Sequence, residues 1–218
     1  MKKNIVLFIL FVLPIVAYLF FASGVNSFIT LPTITPNIPD VKTEWKSLNG
    51  EQVTLNKKIT ILGFAGENLM DNSGNFFTLN QKIYNKYREF KDFQFVFVAP
   101  EGTEAKAKRL LKELSALTNV SGYHFVFAKP EAIQAYFTQL KLLGKLDGNY
   151  GTPNVYIIDK KRNLRGRKGK SVQGDSEYKE GYNTTSAAEL HNDMVDDVKI
   201  ILAEYRLALK RNNADRQI

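Results

Sequence analysis

The chain has no cysteine among its 218 residues. Disulfides, thiolate catalysis and cysteine-held metals are therefore excluded. The absence does not fix a compartment, because a missing residue is compatible with any redox poise. Histidine is scarce, at two residues, His124 and His191, and two distant imidazoles without a thiol do not make a zinc site. Phosphate-cradling loops are missing: "GKLDGNYG" has neither P-loop nor dinucleotide spacing. "GRKGKS" at 166–171 follows a strand pattern and precedes no helix. There is no nucleophile-elbow motif, no internal repeat and no low-complexity tract.

What is present begins with a long apolar run. "MKKNIVLFILFVLPIVAYLFFASGV" opens with Lys2 and Lys3, and no charge follows between Ile5 and Val25. As a helix, that run rises about 31 Å, roughly the hydrocarbon thickness of a bilayer. Pro14 is tolerated in such a span. The expectation is an uncleaved anchor over residues 5–25 with residues 1–4 cytoplasmic. The competing reading is a cleaved signal peptide with "ASG" at 22–24 as its processing site. Lysines ahead of the span place the N-terminus inside, leaving the rest of the chain outside the inner membrane, in the periplasm. The formal net charge of +8 then points away from nucleic acid, which an exported domain seldom meets. The basic cluster "KKRNLRGRKGK", Lys160 to Lys170, lacks the interleaved aromatics of a base-stacking platform. It reads as a solvated hairpin whose Lys160, Lys161, Arg162, Arg165 and Arg167 are available to an acidic partner or lipid head groups.

Residues 26–42, with closely spaced prolines, read as an extended tether. The folded domain is expected over 43–212, with a short tail at 213–218. "TEWKSLNGEQVTLN" carries apolar runs around Asn49-Gly50 and predicts an N-terminal β-hairpin. "KITILGF" is a continuous apolar run of the kind found in a buried central strand. Phe76, Leu79, Ile83, Tyr84, Tyr87 and Phe90 recur at spacings of three and four, which predicts an amphipathic helix. "DFQFVFVAP" predicts a strand, 104–118 a helix, and "GYHFVFAK" a strand. "PEAIQAYFTQLKLLG" predicts a helix with Pro130 in its first turn and Gly144 past its end. "NVYIID" and "NLRGRKG" predict two strands joined by a charged turn. A last long helix follows, begun by Thr185 or Ser186, with Glu189 a capping-box interval after Ser186. Strands alternating with helices predict an α/β domain: a mixed central sheet flanked by helices, with an antiparallel terminal pair.

This order is that of a thioredoxin-like fold. Several strings resemble, further, the SCO/SenC family of membrane-anchored copper chaperones for cytochrome oxidase. "SLNGEQVTL" looks like that family's N-terminal hairpin, and "FQFVFVAPEGTEAKAKRLLKEL" like its strand, turn and helix. "VYIIDKKRNLRGR" is similar to its terminal hairpin, and "GYNTTSAAELHNDMVDDVKIIL" to its C-terminal helix with lead-in. The family carries Cys-x-x-x-Cys directly after the first core strand and a histidine before the "VYIID"-like strand. Laid onto "GFAGENLMD" and "NYGTPNVYIID", those three copper-ligand positions fall on Glu67, Asp71 and Gly151. The resemblance therefore implies a degenerate site with neither copper chemistry nor thiol exchange. The fold likeness also implies a cis Thr152–Pro153 bond facing the turn.

The expected protein is not an enzyme and carries no cofactor or metal. It is expected to act as a binding or assembly factor, or an accessory subunit, in a membrane complex, with a respiratory oxidase first by resemblance. A carboxylate metal carrier using Glu67 and Asp71, with Asp147, backbone carbonyls or His124 as further ligands, is the alternative, although two side chains on one turn supply few oxygens for a hard cation. A cleaved, soluble binding protein is the third.

Overall fold

The computed structural model describes residues 2–23, 30–170 and 176–214. Helix α1 spans Lys2–Ser23. The eight-stranded sheet contains β1 (Thr33–Thr35), β2 (Lys46–Ser47), β3 (Ile59–Ala65), β4 (Phe93–Pro100), β5 (Tyr123–Ala128), β6 (Gly151–Ile158), β7 (Leu164–Arg165) and β10 (Tyr182–Asn183). Its path is β1-β7-β6-β3-β4-β5-β2, with β10 also paired to β6. The pairs β3–β4 and β4–β5 are parallel, while β6 runs antiparallel to β3. A separate hairpin joins β8 (Arg167–Lys170) to β9 (Ser176–Lys179).

The strand alternation sorts the core. Phe93, Phe95, Phe97 and Ala99 of β4 face one hydrophobic cluster, and Val96 and Val98 face the other, as the period of two requires. The first cluster is covered by α2 (Ser73–Leu79), α4 (Glu104–Ser115) and the C-terminal helix. That helix runs from α6 (Ala187–Glu189) through a π-helical turn, Leu190–Met194, into α7 (Val195–Ala214). The helix expected around Phe76–Phe90 likewise passes from α2 through a π-helical turn, Asn80–Tyr84, into α3 (Asn85–Tyr87). The second cluster lies under α5 (Pro130–Gln139) and the segment carrying Ile38, Val41, Trp45, Val53 and Leu55.

That segment corrects two expectations. The proline-rich stretch is not a tether from residue 30 onward. Leu31, Ile38 and Val41 are buried, and β1 pairs antiparallel with β7 as the sheet's edge strand. Proline permits this because an edge strand has one unpaired side; the Pro32 carbonyl accepts from the Gly166 amide at 3.1 Å. The N-terminal hairpin forms only in part. The Asn49-Gly50 turn is present, with Gly50 at φ +73, but β2 pairs with β5 instead of a hairpin partner. Side chains satisfy the would-be second strand. Asp40 accepts from the Leu55 amide at 2.7 Å and the Thr54 hydroxyl at 2.6 Å, and Gln94 donates to the Thr54 carbonyl at 2.8 Å.

Ser186 caps the last helix as its spacing predicts, accepting from the Glu189 amide at 3.2 Å. Glu189 turns to the Asn183 amide instead of completing the reciprocal bond. Among the described residues no helix is long and apolar enough to cross a membrane. The anchor expected over Ile5–Val25 runs beyond Ser23 into residues outside the described ones.

Candidate functional site

At the carboxyl end of β3 the chain must reverse into α2, and Gly66 makes the turn. Its φ of +67 is a left-handed conformation that favours glycine, and a Cβ there would lie 2.9 Å from the backbone of Gly151. Ala65 pairs with Gly151, and the Glu67 amide donates to the Asn149 carbonyl at 2.9 Å. The turn after β3 and the loop before β6 are thus in contact across more than 80 residues of chain.

The loop at 147–151 is shaped by one carboxylate. Asp147 Oδ1 accepts from the amides of Asn149 and Gly151, each at 2.8 Å. Tyr150 adopts φ +60, so the abrupt reversal falls just before Gly151. Thr152 and Pro153 are already the second and third residues of β6. No cis peptide bond occurs among the described residues, so the expectation of a cis Thr152–Pro153 is corrected to trans. The chain reverses ahead of that bond, at Asp147 and Tyr150. The Pro153 carbonyl is occupied by Thr184, through its amide at 2.9 Å and its hydroxyl at 2.7 Å.

Beside this junction lies a cleft of about 300 Å³. Its apolar lining includes Phe76, Leu79, Phe97 and Val155, and its polar lining includes Asn72, Asn75, Thr152 and Thr185. Gly63 makes room for the floor: a Cβ there would fall 2.5 Å from the Phe97 ring. The cleft has the character of a recognition site, an apolar floor with a few hydrogen-bonding groups around it. Of the three positions implied by the resemblance, Gly151 lines it. Glu67 and Asp71 are exposed and do not line it; the Glu67 carbonyl accepts from Lys106 Nζ at 2.8 Å. Asn72, Asn75, Thr184 and Thr185 went unrecognised in the sequence. Their signal was small polar residues clustered at a helix start, "DNSGN", and in the loop "YNTT".

The carboxylate metal carrier is not assembled. Among the described residues no group of three or more His, Asp or Glu side chains is placed to hold an ion. His124 pairs in register with Val96, which in turn pairs with Leu62 in the middle of β3, away from the turn that follows Ala65. Burial lowers its pKa, with Glu51 pulling it back up and Lys58 lowering it further. His191 is exposed in the π-helical turn of the last helix.

The basic hairpin is corrected most sharply. Arg165 is 8% exposed. Its guanidinium donates to Asp159 at 2.8 Å, to Glu204 at 3.0 Å and to the Leu31 carbonyl at 3.0 Å. Arg167 grips Asp197 through two bonds of 2.9 Å and reaches Asp193 at 2.7 Å. Asp197 also accepts from the Tyr182 hydroxyl at 2.6 Å. Burial and that carboxylate push the Tyr182 pKa up. Lys160 pairs with Asp92 at 2.5 Å and sits 5.5 Å from the Tyr205 ring. Arg162 donates to Asn37 at 2.7 Å, leaving Lys161 as the exposed member of the five. The cluster reads as solvated because, apart from Asp159 next to it, its acidic partners lie 26 to 68 residues away; the fold brings them in.

Fold and cleft together define a thioredoxin-like domain without thiols. No family model and no curated protein matches the chain. Solved structures do. One is the solution structure of a putative protein disulfide isomerase from Bacteroides thetaiotaomicron, at 15% identity and TM-score 0.51, covering 80% of this chain and 95% of that one. Another is BsSco, a member of the Sco family of cytochrome c oxidase assembly proteins, at 12% identity and TM-score 0.53, covering 78% and 95%. Likeness at these identities shows the fold; function must be argued from the site.

Proposed function

We propose that this chain is a membrane-anchored, periplasm-facing domain that uses the thioredoxin-like scaffold for binding instead of redox chemistry. It serves as an assembly factor or accessory subunit of a membrane complex, with a respiratory oxidase as the first candidate. One observation carries this reading. The Gly66–Gly151 junction and its cleft are fully built in a chain with no cysteine. Thiol exchange has no atoms to act through, whereas an apolar floor edged by asparagine and threonine suits a protein segment. The fold shared with BsSco, from a family of cytochrome c oxidase assembly proteins, supports the choice of complex. The uncharged run Ile5–Val25 supports the anchor.

The test places a photo-crosslinking residue at Asn72 or Thr152 in the full chain and illuminates intact membranes. Crosslinks from both positions to subunits of one terminal oxidase are expected, with few from Leu117. Release of the chain by alkaline carbonate, or crosslinks no different from those at Leu117, would overturn the reading.

A further inference from the structure

The second large concavity lies at the opposite edge of the sheet from β2, where the proline-rich segment joins the domain. Leu31, Pro32, Ile200 and Ala203 give it apolar walls, and Lys168 and Lys199 are exposed at its margin. Leu31 is held in place at both of its backbone polar atoms. Its amide donates to Glu204 at 3.1 Å and its carbonyl accepts from Arg165. The point where the chain leaves the domain toward its N-terminus is therefore fixed.

That fixed point limits how the domain can sit. Between Ser23, the end of α1, and Thr30 there are only residues 24–29. At about 3.6 Å per residue the connection reaches at most about 25 Å. A domain of this size has a radius of gyration of about 16 Å and hence a diameter near 40 Å. The connection is shorter than the domain is wide, so the face holding Thr30 and Leu31 cannot turn away from whatever surface holds α1.

The charges on that face match an anionic surface. Lys199, Ala203 and Arg206 recur at spacings of four and three, so they share one stripe of α7. Lys199 and Arg206 are exposed, as is Lys168 across the groove. The acidic residues are accounted for. Asp197 is taken by Arg167 and Tyr182, and Glu204 by Arg165 and Leu31. Asp193 is taken by Arg167 and Lys179. Asp196 is the exposed exception.

We infer that the groove between the proline-rich segment and α7 docks on the anionic head-group surface of the bilayer that holds α1. Lysine and arginine meet lipid phosphates, and the apolar walls lie toward the interface. This rests on the anchored reading above.

The absence of cysteine supplies a clean test, because any introduced cysteine carries the label alone. The full chain with Ala203→Cys or Leu117→Cys is spin-labelled and reconstituted in nanodiscs containing phosphatidylglycerol and a nickel-chelating lipid. Several-fold stronger nickel relaxation at position 203 than at 117 is expected. It should fall in discs of phosphatidylcholine with the same nickel lipid, and in a chain also carrying Lys168→Glu, Lys199→Glu and Arg206→Glu. Equal relaxation at the two positions in a disc-bound chain, as a groove reserved for a second protein would give, overturns the docking and leaves the anchor standing. A chain that elutes apart from the discs overturns both.

Discussion

The two ends of the molecule's polar chemistry differ in kind. At the cleft, geometry is set by the backbone: a left-handed glycine, a left-handed tyrosine and one aspartate accepting two amides. At the β1–α7 edge it is set by charged side chains closed into a buried network around Arg165 and Arg167. The junction beside the cleft holds its shape with one carboxylate and no ion pair among the described residues, whereas the part that reads as a loose basic surface is closed by paired charges. Charge in a sequence therefore locates neither the site nor the surface until partners are known.

The sharpest break of this contrast is Arg165→Ala. Among the described residues it takes the only cation from Asp159, 1% exposed, which keeps the amides of Lys161 and Asn163 and the Asn163 side chain. It also removes the guanidinium donor from Glu204 and the Leu31 carbonyl. Removing one member of a buried ion pair costs about 3–5 kcal/mol. Urea unfolding should show this loss, and protease should cut the segment around Leu31 earlier than in the parent. A parent-like midpoint would mean that the network is not structural.

At the cleft the largest effect should come from Gly66→Ala. The left-handed backbone costs about 1–2 kcal/mol for a residue with a Cβ, and the close approach to Gly151 adds to it. A histidine at Gly151 would meet the same obstacle, since even a Cβ there lies 3.2 Å from Gly66. Restoring a ligand at Gly151 should thus destabilise the junction before it binds copper. Thermal unfolding of Gly66→Ala and Gly151→His checks both, and an unchanged midpoint for either would contradict the packing.

Raised pH should separate the two regions next. Burial, then Asp159, pushes Tyr205 up to about 12 from an ordinary value of 10.0. A tyrosine raised on folding stabilises fully below the unfolded value and loses that contribution as pH climbs from about 10 to about 12. Tyr182 is raised as well, by burial first and Asp197 second; among the described residues the cleft lining holds no tyrosine, although Tyr156, buried next to Val155 on β6, is raised too. Alkaline titration should therefore loosen the β1–α7 edge, and Tyr205→Phe should flatten part of the slope. An identical slope in that variant would remove Tyr205 from the account.

The smallest effect belongs to Glu67 and Asp71, the two exposed positions among the three that the resemblance marks. Glu67→Cys and Asp71→Cys replace exposed side chains and should each change stability by about 0.5 kcal/mol or less. Both thiols should react with Ellman's reagent in the folded protein. A protected thiol would mean that the turn packs more tightly than the structure shows.

The parts legible in the sequence were those whose cause is local. The continuous apolar run "KITILGF" announced a buried central strand, and every residue of β3 is buried. Pro130 and Ser186 marked helix starts where the structure has them. That the turn after β3 faces the Thr152–Pro153 loop came only through the fold resemblance, and the Gly66–Gly151 contact itself is seen in the structure alone. The cleft's polar lining was not legible, because asparagine and threonine in loops look alike whether or not they share a cavity. The β8–β9 hairpin and β10 were missed too, as short strands with little apolar pattern of their own.

The sequence alone determined that this protein has no thiol chemistry, that its core strands alternate with helices, and where most of those elements begin. Those facts depend on composition or on neighbours a few residues apart. Tertiary structure alone decided that the proline-rich segment is an edge strand, that Thr152–Pro153 is trans, and that Arg165 and Arg167 are internal. Each depends on partners distant in the chain, as when Arg165 meets Leu31 across 134 residues. A pairing of that kind forms only after the sheet has set its register, and no local window of residues contains it.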